Sequence, residues 1–121
     1  MNAESVNRWL EGLPLRERAK LLSLIAYQLT VQARRFYRFP PHSVSNPPLD
    51  GEKLAGINEL QHQLISQAGH YWDGEERKVY PIDVFSRILF EVAAQHGVTS
   101  DLAAAVKYVQ EGTTKGATGR G

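Results

Sequence analysis

The chain has 121 residues, with 14 Lys and Arg against 13 Asp and Glu, 42% hydrophobic side chains and no cysteine. That length suits one compact domain and leaves no room for a second, and the apolar fraction is that of a globular rather than a disordered protein. Without cysteine there is no disulfide, thiolate metal site, iron–sulfur cluster or cysteine nucleophile.

The opening MNAESVNRWLEGL carries two acidic residues and no apolar run of signal-peptide length, which predicts no secretion by that route. Ala3–Leu10 reads as a short helix with Val6, Trp9 and Leu10 on one side and Gly12 as its stop. Pro14 then falls where a proline is tolerated, in the first turn of the next helix.

The second helix, over Leu15–Arg38, carries the strongest periodic signal. Leu15, Ala19, Leu22, Ala26, Leu29, Ala33 and Phe36 recur at alternating steps of four and three, a heptad seam of large and small side chains. Leu21, Leu24, Ile25 and Val31 add a second apolar stripe. A helix apolar over so much of its girth needs cover on more than one side, as the central helix of the domain or as a homodimer interface along the Leu15–Phe36 seam.

Four prolines between positions 40 and 48 exclude a helix there and favour an extended crossing strap, with His42 facing solvent. Asp50 is a good N-cap for a third helix over Gly51–Trp72. Its apolar set is Leu54, Ile57, Leu60, Leu64, Ile65, Ala68, Tyr71 and Trp72, and Asp73-Gly74 ends it. A polar loop over Glu75–Lys78 follows. Pro81 opens a fourth helix over Pro81–His96, with Phe85, Ile88, Leu89, Val92 and Ala93 inward and Gly97 as its stop. Thr99 or Ser100 caps a fifth over Asp101–Glu111, with Leu102, Ala105, Val106 and Val109 on one face and Gly112 at its end. The expected fold is all-α: a small bundle of four to five helices over residues 1–112 with a proline-rich crossing loop, and a flexible Gly-rich tail over 113–121. No stretch approaches the roughly 18–20 uninterrupted apolar residues of a membrane span, so no membrane partner and a cytoplasmic location are expected.

Charge is unevenly spread along the chain. Residues 1–39 hold seven basic side chains against three acidic ones, and residues 40–111 hold five against ten. The two halves either attract each other within the fold or present a basic face to an anionic partner.

Several clusters bear on chemistry. Glu59 and His62 stand three apart, and Asn58 and His62 four apart, so all three share a helix face. Glu-x-x-His is half of the motif with which di-iron bundles hold metal, but such sites need a second copy and further carboxylates. The nearest other pair, Glu91 and His96, has the wrong spacing. No metal and no cofactor is therefore expected. Ser66, Ser86 and Ser100 lack a nucleophile elbow, so no catalytic residue is assigned, and a metal-dependent or hydrolytic enzyme around Glu59 and His62 is the weakest reading. The Gly-rich segment around Lys115 precedes no helix and cannot act as a phosphate loop. Arg34, Arg35, Tyr37 and Arg38, interleaved with Phe36 and Phe39, combine guanidinium groups with rings, a mixture that suits either nucleic acid or an acidic protein. Trp9 and Trp72 read as core or groove residues.

The Gly12-Leu13-Pro14-Leu15 opening of the long helix and the segment Ile57-Asn58-Glu59-Leu60-Gln61-His62 are similar to segments of small helical bacterial proteins. The likeness spans most of residues 10–97; it implies a bacterial cytoplasmic setting and carries no activity and no functional residue. The leading expectation is a non-enzymatic protein-interaction module, such as a small regulator, an antitoxin-like or immunity-type inhibitor, or an assembly subunit. Its candidate partner-binding residues are Arg34, Arg35, Tyr37 and Arg38 in one patch and Asn58, Glu59, His62 and Tyr71 in another. The alternative is a nucleic-acid binder using the basic, aromatic end of the second helix.

Overall fold

The computed structural model describes residues 1–36, 51–74 and 78–118, with the side chains of Arg35 and of residues 113–118 left outside that description. The proline strap with His42, the N-cap at Asp50, and most of the loop after Gly74 therefore lie outside the described residues. Five helices form an all-α bundle, with no strand among the described residues: α1 (Ala3–Glu11), α2 (Leu15–Ala33), α3 (Gly51–Asp73), α4 (Ile82–Gln95) and α5 (Thr99–Thr118). No helix among the described residues is long and apolar enough to cross a membrane.

Local chemistry fixes most helix ends. At α1 the Asn2 side chain accepts from the Ser5 N–H at 2.9 Å while the Asn2 N–H donates to Ser5 Oγ at 3.1 Å, a reciprocal capping box that satisfies two otherwise orphaned donors. Pro14 and Pro81 are N-caps rather than first-turn residues. Their carbonyls accept from Arg18 N–H at 3.0 Å and Phe85 N–H at 2.9 Å, and their missing donors cost nothing outside the helix. Gly97, at φ +69°, ends α4: its N–H donates to Ala94 O at 3.2 Å and the Val98 N–H to Ala93 O at 2.8 Å. This is the paired bonding of a Schellman stop, with Val98 fully buried as its hydrophobic seal.

Two boundaries differ from the sequence expectation by more than two residues, and α5 starts at Thr99, so that Thr99 and Ser100 lie inside the helix rather than capping it. The second helix ends at Ala33, because the chain tightens into a 3-10 turn over Arg34–Phe36 in which the Arg34 N–H reaches back to Val31 and Gln32 carbonyls. The fifth runs through Gly112 to Thr118; a helical glycine costs about 1 kcal/mol relative to alanine and is no absolute stop.

Helix α2 is the axis of the bundle. It packs along α3 on one side and α5 on another, while α1 lies on α4, and α4 closes against α3 and α5. Ala19, Leu22, Ala26, Leu29, Ala33 and Phe36 of the heptad seam are buried, as are Leu21 and Ile25 of the second stripe. The seam is thus filled by the chain's own α3 and α5. A homodimer through Leu15–Phe36 has no surface left to use, and that expectation is withdrawn.

Helices α2 and α3 run antiparallel in a register set by contacts at both ends and in the middle. Arg16 stacks over the Trp72 ring at 5.0 Å and Arg18 over Tyr71 at 5.7 Å; the Lys53 ammonium lies 5.5 Å from the Phe36 ring centre at the opposite end. Between them Gln61 Nε2 donates to Ala26 O at 2.9 Å and to Thr30 Oγ1 at 2.7 Å.

A candidate protein-docking face on helices α2 and α3

The exposed residues of α2 form one strip: Arg16, Lys20, Ser23, Leu24, Tyr27 and Thr30, continued by Arg34 in the turn that follows. Steps of four and three keep a strip on one side of a helix, so α2 meets solvent along a single line about 27 Å long. On α3 the residues Asn58, His62, Ile65, Gly69 and Trp72 repeat the same steps and are all exposed. The antiparallel register lays the two strips side by side.

The half of this face nearest Trp72 is a groove of about 590 Å³, lined by Ala19, Lys20, Ser23, Leu24 from α2 and Ile65, Ala68, Gly69, Trp72, Asp73 from α3. Its shape follows from residue size. Ala19, Ser23, Ala68 and Gly69 are too short to fill the space between the helices, while Leu24, Ile65 and Trp72 stand up as walls. Leu24 is 51% exposed, Ile65 53% and Trp72 52%. Among the described residues they are the only exposed Leu, Ile, Val, Phe or Trp, and all three line one groove. Leu24 also borders a smaller cleft of about 250 Å³ beside Gln28, Tyr108 and Val109, so the apolar surface continues towards α5.

At the α2 lip stand two cations, Arg16 and Lys20. Arg16 spends its charge on the Trp72 ring face, and among the described residues neither cation pairs with a carboxylate; carboxylates elsewhere meet other partners, Glu4 with Arg8, Glu111 with Lys107 and Glu52 with the His96 ring. Asp73 sits at the α3 lip, and among the described residues it has no cationic partner either.

The structure places the sequence-derived candidates unevenly. Arg34 is exposed at the end of the α2 strip, Arg35 falls in the 3-10 turn with its side chain outside the described residues, and Tyr37 and Arg38 lie outside them altogether. Asn58, Glu59 and His62 are exposed on α3, and Glu59 Oε1 accepts from Gln63 Nε2 at 3.3 Å. Tyr71 is separated from them: it is buried at 3% exposure, its ring under Arg18 and its hydroxyl accepting from Gln67 Nε2 at 3.2 Å. Tyr71 therefore belongs to the core and not to a surface patch. No group of three or more His, Asp or Glu that could hold a metal occurs among the described residues.

Sequence reasoning did not delimit the groove because it placed Leu24, Ile65 and Trp72 within the apolar sets of their helices, with Trp72 read as core or groove, and did not bring the three together. Ile65 and Trp72 each stand one residue beyond buried Leu64 and Tyr71, about 100° round the helix from the buried stripe. The signal was present in the excess width of both apolar sets, which a single neighbouring helix cannot cover. Compared with known proteins, the chain matches no family model, and neither a curated protein nor a solved structure is similar to it beyond chance.

Proposed function

We propose that the chain is a non-enzymatic protein-interaction module that takes a helix of another protein into the groove between α2 and α3. One observation carries the reading. Leu24, Ile65 and Trp72, the exposed Leu, Ile and Trp of the described residues, stand together around a floor of small residues. A helix laid between two others, with apolar anchors at steps of three and four, fits such a groove.

Magnitude bounds what the groove contributes alone. Covering three half-exposed side chains removes on the order of 250 Å² of apolar surface, or roughly 6 kcal/mol before association costs of about 4–15 kcal/mol. Apolar contact through these anchors is therefore a weak interaction unless the rest of the face adds to it. The polar half, with Tyr27, Thr30, Arg34, Asn58 and His62 exposed, supplies that extension and a means of discriminating partners.

The test is site-specific crosslinking in the source cell. A photoreactive residue at position 65 is expected to trap a discrete protein adduct that disappears when Leu24→Asp is added, while the same probe at the exposed Glu91 position on α4 traps none. An adduct of equal yield from both positions, or none from position 65, would contradict the reading.

A further inference from the structure

The charge pattern of the face specifies the chemistry of the helix it receives, an inference that rests on the groove reading above. Every exposed residue of α2 lies in the strip from Arg16 to Thr30, and none is acidic; its charges are Arg16 and Lys20, and Arg34 continues it with a third cation. Arg16 and Lys20 stand beside the groove, and among the described residues neither meets a carboxylate. The Arg16 guanidinium rests on the Trp72 ring at 5.0 Å, a weak contact at an exposed site and so easily exchanged for a charged hydrogen bond. A second copy of the chain is a poor occupant, because symmetric docking along this face offers each cationic α2 strip either another α2 strip or the α3 strip from Asn58 to Trp72, none of whose residues is acidic.

We infer that the groove receives an acidic amphipathic helix from a partner protein, with its apolar residues between Leu24, Ile65 and Trp72. Its carboxylates lie along the α2 edge, where they pair with Lys20 and draw Arg16 off the Trp72 ring. The α3 edge asks for different chemistry: Asp73 at one end and Glu59 further along call for neutral or basic residues on the opposite side of the bound helix. The site therefore selects both a composition and an orientation.

The probes are two synthetic 18-residue helical peptides with the same leucine seam, one with glutamate and one with lysine at the flanking positions. The full chain carries Trp9→Phe, so that Trp72 is its sole tryptophan and reports directly on the groove. The glutamate peptide is expected to change Trp72 emission and bind at least tenfold tighter than the lysine peptide at low ionic strength, with the advantage shrinking as salt is added. Arg16→Glu with Lys20→Glu reverses the preference. Gly69→Leu, at a position where an added Cβ meets nothing within 4 Å, fills the floor and abolishes binding of both peptides without disturbing the core. Equal binding of both peptides, lost with Gly69→Leu, would overturn the acidic occupant while leaving the groove reading intact. Failure of both peptides to bind, or binding that Gly69→Leu does not reduce, would overturn the groove reading itself. A dimer in light scattering that Gly69→Leu dissociates would make a second copy the occupant and overturn the inference.

Discussion

Gly56 and Gly69 lie on the same helix, yet a side chain at each meets opposite surroundings. A Cβ on Gly56 would stand 2.3 Å from the His96 Cβ and 3.2 Å from a Val98 methyl, whereas one on Gly69 meets nothing within 4 Å. Gly56 lets the start of α3 press against the end of α4, where His96 Nδ1 and Glu52 Oε1 are 2.7 Å apart. Gly56→Ala gains about 1 kcal/mol of helix propensity and loses more to overpacking, for a net destabilisation of about 1–2 kcal/mol. Gly69→Ala keeps the propensity gain and stabilises by about 0.5–1 kcal/mol. Urea midpoints of the two variants should therefore move in opposite directions; movement in the same direction would contradict the packing described. Gln67 is a third single-residue device: buried at 3% exposure, it accepts from Tyr80 N–H at 3.2 Å and donates to Tyr80 O at 2.8 Å, as a neighbouring strand would. Gln67→Leu removes both bonds from the segment leading into α4. The expected cost is about 1–3 kcal/mol, read as a lower urea midpoint with unchanged slope.

At the scale of elements, what was legible in the sequence was periodicity. The seam from Ala19 to Phe36, the α5 set Leu102, Ala105, Val106 and Val109, and the stop at Gly97 all emerge from spacing and residue type, because one buried stripe and one left-handed glycine each leave a local mark. What was not legible was which edge of a wide stripe stays uncovered. That depends on how neighbouring helices cross α2 and α3, and no local pattern encodes it: Leu24 and Ile25 are adjacent and both apolar, yet one is 51% exposed and the other fully buried. Nor does spacing distinguish a seam filled within the chain from one shared between chains. Leu22 separates the two: it is fully buried against the chain's own helices, so Leu22→Asp should abolish the cooperative thermal transition. A folded monomer carrying Leu22→Asp would return the seam to the role of an interface. Arg18 shows a connection between elements that spacing alone does not reveal. From the first turn of α2 its guanidinium donates to Leu13 O at 3.0 Å and Glu11 O at 2.7 Å, closing the end of α1 while lying over Tyr71 of α3.

For the molecule as a whole, the bundle divides its apolar surface into two parts. One is the core around Leu10, Leu22, Ile25, Leu60, Phe85 and Leu102, sealed by all five helices. The other is the open strip of Leu24, Ile65 and Trp72, bordered by Arg16 and Lys20, which we propose as the seat of a partner helix. The basic character of the first third of the sequence thus has a place in the fold, since α2 displays its exposed cations along one line beside the groove. Helix α3 offers the most direct test of this division, because it carries two isoleucines of opposite standing: Ile57 is 1% exposed and Ile65 is 53% exposed. The decisive measurement is the unfolding free energy of Ile57→Ser and of Ile65→Ser by urea denaturation, with glutamate-peptide binding followed on the same samples. The account predicts a loss of about 3–5 kcal/mol for Ile57→Ser. For Ile65→Ser it predicts a loss below about 1 kcal/mol, together with at least a tenfold loss of peptide affinity. Comparable destabilisation by the two substitutions, or unchanged peptide binding by the Ile65→Ser protein, would contradict it.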